Sequence, residues 1–170
     1  MQTATLNLYS LGYTQLRTYL IASAFVVGNI VLPQLAHFVP QGGFIFLPIY
    51  FFTLVAGYKY GWRAGLLTAI ASPVVNHLLF GMPPMAVLPA ILVKSIFLAI
   101  TAGVAANYFK RVSLTILLLV VMTYQLFGTM VEWALIGDLF KAIQDFRIGI
   151  PGMLLQVFGG FLTINYLIRK

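Results

Sequence analysis

Val112-Ser-Leu-Thr-Ile-Leu-Leu-Leu-Val-Val-Met-Thr-Tyr-Gln-Leu-Phe-Gly-Thr-Met-Val131 runs for 20 residues without an Asp, Glu, Lys or Arg. At 1.5 Å of rise per residue, about 20 mainly apolar residues match the ~30 Å hydrocarbon core of a bilayer. Three more stretches read the same way: Thr18 to Tyr58 (41 residues), Ala64 to Val93 (30) and Ile148 to Ile168 (21) carry no charge. The two longest are each interrupted once, at His37-Phe-Val-Pro-Gln-Gly-Gly43 and at Gly81-Met-Pro-Pro84. Gly and Pro punctuate helices, so both interruptions read as turns. A further apolar segment from Met85 to Tyr108 is broken only by Lys94.

These segments predict an all-α membrane protein. Its single integral-membrane domain, residues 1–170, is expected to be a compact bundle of six transmembrane helices at about 17–36, 43–58, 63–80, 85–108, 113–135 and 149–168. The composition agrees, with 61% of residues apolar and 8% charged, against about a quarter charged in an ordinary soluble domain. With no Cys, the chain is no disulfide scaffold. Continuous rather than alternating apolar runs argue against a transmembrane β-barrel. The first 16 residues carry no positive side chain, which argues against a cleaved signal peptide.

Lys and Arg set the expected orientation. Arg17, Lys59, Arg63, Lys110, Arg111, Arg169 and Lys170 fall on one side of the six segments, and only Lys141 and Arg147 on the other. Both termini are therefore expected in the cytoplasm. The net charge of +7 becomes a topology signal, not a sign of nucleic-acid binding.

Two charges lie inside expected spans, Lys94 and Glu132. A Lys or Asp at a helix centre costs about 2.5–3.5 kcal/mol on insertion scales, and such residues face the bundle interior. Both belong to the outer half of their helices, so they are expected at one depth. They read either as a structural ion pair or as part of an outward-facing ligand cavity. Asn76 and His77 end the third segment on the same side, after Pro73. Gln125, Thr129 and Glu132 share one helix face, as do Thr68, Ser72 and Asn76, and Gln156, Gly160 and Thr163. Packing through small and hydroxyl residues explains the inner half of such stripes. The outer half, with Asn76 and Glu132, asks for more. The candidate substrate-binding residues are thus Lys94, Glu132, Asn76, His77, Trp133 and Gln125. Lys94 would suit a carboxylate or phosphate, and Glu132 with Trp133 a ring nitrogen and an aromatic face. Ala24 and Gly28, four apart, would admit a close helix partner. Gly57, Gly61 and Gly65 read chiefly as a tight turn.

No metal site, resident cofactor or catalytic group is expected. The two His residues lie 40 positions apart, and no Ser-His-Asp, His-Glu-x-x-His, Gly-x-Gly-x-x-Gly or P-loop pattern occurs. Any active transport must then draw its energy from a partner.

Phe46-Leu-Pro-Ile-Tyr50, Leu54-Val-Ala-Gly57, Tyr60-Gly-Trp-Arg-Ala-Gly65 and Ser72-Pro73 through Gly81-Met-Pro-Pro84 occur in an order that resembles the substrate-binding (S) components of energy-coupling factor (ECF) vitamin transporters. The likeness covers residues 40–90, and the remainder by topology alone. It implies a non-enzymatic vitamin-uptake component that binds a small water-soluble vitamin or precursor from outside. It also implies a transmembrane coupling subunit and two ATPase subunits as partners, with Ala24 and Gly28 in the place of the family's small-xxx-small docking motif. No His precedes His37, a departure from the nickel and cobalt branch. The competing expectation is a membrane scaffold of the rod-shape-determining type, which binds other membrane proteins and needs no outward cavity. An intramembrane enzyme ranks below both.

Overall fold

The computed structural model describes residues 8–167, which places Arg169 and Lys170 outside the described residues. Among those described, the chain is helical without a strand. Helices α1 (Leu16–Ala36), α4 (Trp62–Phe80), α5 (Leu88–Phe109) and α6 (Leu114–Ile136) are each long and apolar enough to cross a membrane. Each reproduces an expected segment to within three residues.

The other two expected spans are helical but interrupted. Residues 43–58 divide into α2 (Gly42–Phe46), a 3-10 turn at Pro48–Tyr50 and α3 (Phe51–Tyr60). Pro48 causes the break. It has no N–H to give the preceding turn, and its ring drives the residue before it out of the right-handed helical region. Leu47 accordingly sits at φ 46°. The last segment is α9 (Ile150–Leu162), continued by a π-helical turn at Thr163–Leu167. Between α6 and α9 lie two short helices that the hydropathy pattern does not foresee, α7 (Leu139–Ala142) and α8 (Gln144–Ile148). Asp138 caps α7, its carboxylate accepting from the Phe140 and Lys141 N–H groups.

Short α3 is the centre of the bundle. Nearly all its residues are buried, with Leu54, Val55 and Tyr58 fully enclosed among α5, α6 and α9. Glycines make that enclosure possible. A methyl group on Gly65 would stand 2.7 Å from the Gly57 Cα and 3.1 Å from the Ala99 Cβ, so α3, α4 and α5 meet almost backbone to backbone. Only Gly61, at φ +98°, serves the turn that the sequence spacing assigned to all three glycines. Gly28 likewise faces inward: a methyl group there would lie 2.5 Å from the Phe52 ring. Ala24 stays exposed on α1.

One polar knot repairs the backbone that the prolines break. Pro33 lies inside α1 and supplies no N–H to the Asn29 carbonyl four residues back. The Asn76 side chain, from α4, donates to that carbonyl at 2.9 Å. Asn29 in turn accepts from the Phe52 N–H at 3.1 Å, one of the free donors at the start of α3. It also donates to Thr53 and Ser72, each at 3.1 Å. In a bilayer such groups have no water to turn to, so the knot fixes α1, α3 and α4 together.

Candidate functional site

At the end of the bundle where α1, α4 and α6 finish and α5 and α9 begin, the chain encloses a cavity of about 470 Å³, within the usual range for small-molecule sites. Its mouth is formed by exposed residues, among them His37, Val39, Gln41, Met82 and Pro84. Its depth is formed by buried ones: Leu47, Tyr50, Asn76 and Lys94. Phe44, Ile49, Val87 and Ile91 supply apolar wall.

Lys94 occupies the buried end. Its side chain is 4% exposed, and its stem lies across Gly128 of α6, where any side chain would collide with the Lys94 Cγ. The Lys94 ammonium donates to Asp145 Oδ2 of α8 at 2.7 Å. It also lies 2.5 Å from Glu132 Oε2 of α6, a second ionic contact. The ammonium thereby ties α5, α6 and α8 together, and removing it would leave two buried carboxylates unpaired at a cost of about 3–5 kcal/mol. Gly149 joins α8 to α9, where a methyl group would stand 2.6 Å from the Asp145 carbonyl oxygen, and Gly152 lets α9 pass close to α2, where one would stand 2.5 Å from the Phe46 carbonyl oxygen.

The six expected binding residues separate into two groups. Lys94, Glu132 and Asn76 line the cavity together. His77, Trp133 and Gln125 are not among its lining residues. The His77 Nδ1 is 2.8 Å from the Pro83 carbonyl, which holds the ring in the α4–α5 turn. Trp133 is 49% exposed, because one residue along a helix turns the side chain about 100° away from Glu132. The aromatic surface bordering the cavity comes instead from Phe44 and Tyr50. Gln125 shares the inward face of α6 but lies seven residues, or about 10 Å, deeper than Glu132. It is fully buried without a hydrogen-bond partner among the described residues.

Asp145 was not among the residues singled out from sequence. It is one of three acidic residues in the chain, and a capping pattern was the available signal. Asp138 precedes Leu-Phe-Lys and caps α7, which leaves Asp145 without a local role.

Asn76 offers the cavity one kind of group. Its amide nitrogen donates to the Asn29 and Ser72 carbonyls, each at 2.9 Å. Both amide hydrogens are thereby committed, and the carbonyl oxygen Oδ1 is what remains. The described residues form no cluster of three His, Cys, Asp or Glu able to hold a metal ion.

No protein-family model, curated protein or solved structure matches this chain.

Proposed function

We propose that this chain is the solute-capturing component of a vitamin-uptake system in a prokaryotic cell membrane. In this reading the four complete spans and the interrupted segments 42–60 and 150–167 make six crossings, with both termini in the cytoplasm. The cavity then opens outward. Among the described residues, Arg17, Lys59, Arg63, Lys110 and Arg111 lie at the opposite end, away from Lys141 and Arg147, as positive-inside bias requires. A transmembrane coupling subunit and two ATPase subunits would supply the energy, and α1, largely uncovered along its length, is the face available to them.

The observation that carries the reading is the cavity with Lys94, Glu132 and Asp145 at its buried end. Ionised groups at membrane depth are expensive and mark sites of solute or ion handling. A scaffold working through its outer faces needs no such hollow, so the cavity favours solute capture. The test is to purify the chain from rich medium, identify co-purified small molecules by mass spectrometry and titrate a vitamin panel by calorimetry. A bound vitamin displaced by excess of the same compound is the expected result. Absence of any ligand, together with failure to associate with a coupling subunit, overturns the reading.

A further inference from the structure

Lys94 brings one positive charge to the cavity, while Glu132 and Asp145 bring two negative ones. The ammonium that the sequence offered for a carboxylate or phosphate is occupied by both acids, and the sum is −1. Gln34, whose buried Nε2 has no partner among the described residues, also borders the cavity, but the groups on the ion cluster and on Asn76 are acceptors. Among the described residues Glu132 Oε1 and Asp145 Oδ1 receive no protein donor. Asn76, 2% exposed, has only its Oδ1 to offer after its two donations. Three residues with acceptors to spare and one unit of excess negative charge therefore line a hollow whose walls include Phe44, Ile49 and Ile91. Low polarizability around such charges strengthens their preference for a compensating cation.

We infer that the cavity selects a ligand bearing a protonated amine or a cationic, N–H-donating ring on an apolar or aromatic body, and rejects carboxylates and phosphates. The inference rests on the solute-capture reading and narrows it to one charge class. The cationic group lies against Glu132 and Asp145 and donates to Asn76 Oδ1, while the body lies along Phe44 and Ile91. Lys94 acts as a positioning residue, holding the two carboxylates at one point so that their combined field faces the ligand.

Calorimetric titration of the full chain in detergent with probes sorted by charge tests it. The probes are thiamine and pyridoxamine (cationic), riboflavin and pyridoxine (neutral), and biotin, pantothenate and 4-pyridoxate (anionic). Pyridoxamine, pyridoxine and 4-pyridoxate share one ring and differ in the charge of a single substituent. Binding is expected among the cationic probes alone, and Glu132→Gln is expected to weaken it at least tenfold, the equivalent of one charge-assisted hydrogen bond. Asp145→Asn repeats the test from another element should Glu132→Gln unfold in a melting assay. Tightest binding by an anionic or neutral probe, unchanged in either variant, overturns the charge assignment and leaves solute capture standing. Binding of none of the seven probes overturns the charge assignment, and solute capture falls with it when no co-purified ligand and no association with a coupling subunit is found either.

Discussion

Asn76→Leu tests whether the polar knot does what its geometry implies. The replacement keeps the number and branching of side-chain heavy atoms and removes both donated hydrogen bonds. The Ser72 carbonyl keeps its helical partner four residues on. The Asn29 carbonyl does not, because residue 33 is proline and its N–H is missing. A buried carbonyl left without a partner costs about 1–3 kcal/mol, and side-chain bonds between membrane helices average nearer 0.6 kcal/mol. A destabilisation of about 1–3 kcal/mol is expected. The discriminating variant is Pro33→Ala, which returns an N–H to α1 at the position that reaches Asn29. In that background Asn76→Leu is expected to cost less, with a coupling of about 0.6–2 kcal/mol in the double-mutant cycle. Reversible unfolding of the ligand-free protein in mixed micelles measures all four species. Additive costs, with coupling below about 0.3 kcal/mol, would refute the claim that Asn76 substitutes for the N–H lost at Pro33.

Gly128→Ala places a methyl group into the Lys94 stem and is expected to destabilise by about 1–3 kcal/mol, read as a lowered melting midpoint; an unchanged midpoint contradicts the close passage of Lys94 over α6. Gly28→Leu must displace the Phe52 ring, whereas Ala24→Leu extends from an exposed position. The first is expected to lower thermal stability and the second to leave both stability and ligand binding unchanged, and equal melting midpoints would show that Gly28 is not packed inside. The N–H groups of Lys141 and Phe140 hold the Asp138 carboxyl below the usual carboxylate range. A depressed folded-state value means that its contribution to α7 is present above the unfolded value near 3.9 and is lost as pH falls through the lowered one. Protection of the Phe140 and Lys141 amides, each measured against the intrinsic exchange rate at the same pH, is therefore expected to be kept at pH 5 and lost under strong acid, and in Asp138→Ala to be lost at both.

Hydropathy is a sum over many residues, and it located α1, α4, α5 and α6 because nothing inside them opposes the helix strongly enough. Pro33 and Pro73 would break a helix in water; here Asn76 meets the carbonyl freed by Pro33, a contact 47 positions away in sequence. Pro48 has no such rescue, and the chain breaks at Leu47. At Pro33 a distant donor, which no local window contains, meets the freed carbonyl, whereas α4 continues through Pro73 with no side-chain donor to Ala69 among the described residues. The glycine period at 57, 61 and 65 posed the same problem. Spacing alone suits a turn and a close helix contact equally, and α5 decided between them by bringing Ala99 against two of the three.

The candidate site was legible where a charge cost enough to demand company, and illegible where it did not. Lys94 and Glu132 stood out because each interrupts an apolar run, and the structure joins them. Asp145 lies outside those runs, in α8, where an acid costs little in the unfolded chain and attracts no notice. Its effect on the site is nevertheless the larger one. A Lys–Glu pair alone is neutral and has no reason to favour a charged ligand over packed apolar side chains. A second carboxylate on the same ammonium leaves one negative charge uncompensated beside an apolar wall, and burial makes that state unfavourable without a compensating cation. Three ionisable groups held at 2.5 and 2.7 Å therefore create a demand that a cationic ligand would satisfy. The sign of that demand comes from the residue whose position in the sequence gave it the least apparent claim to the site.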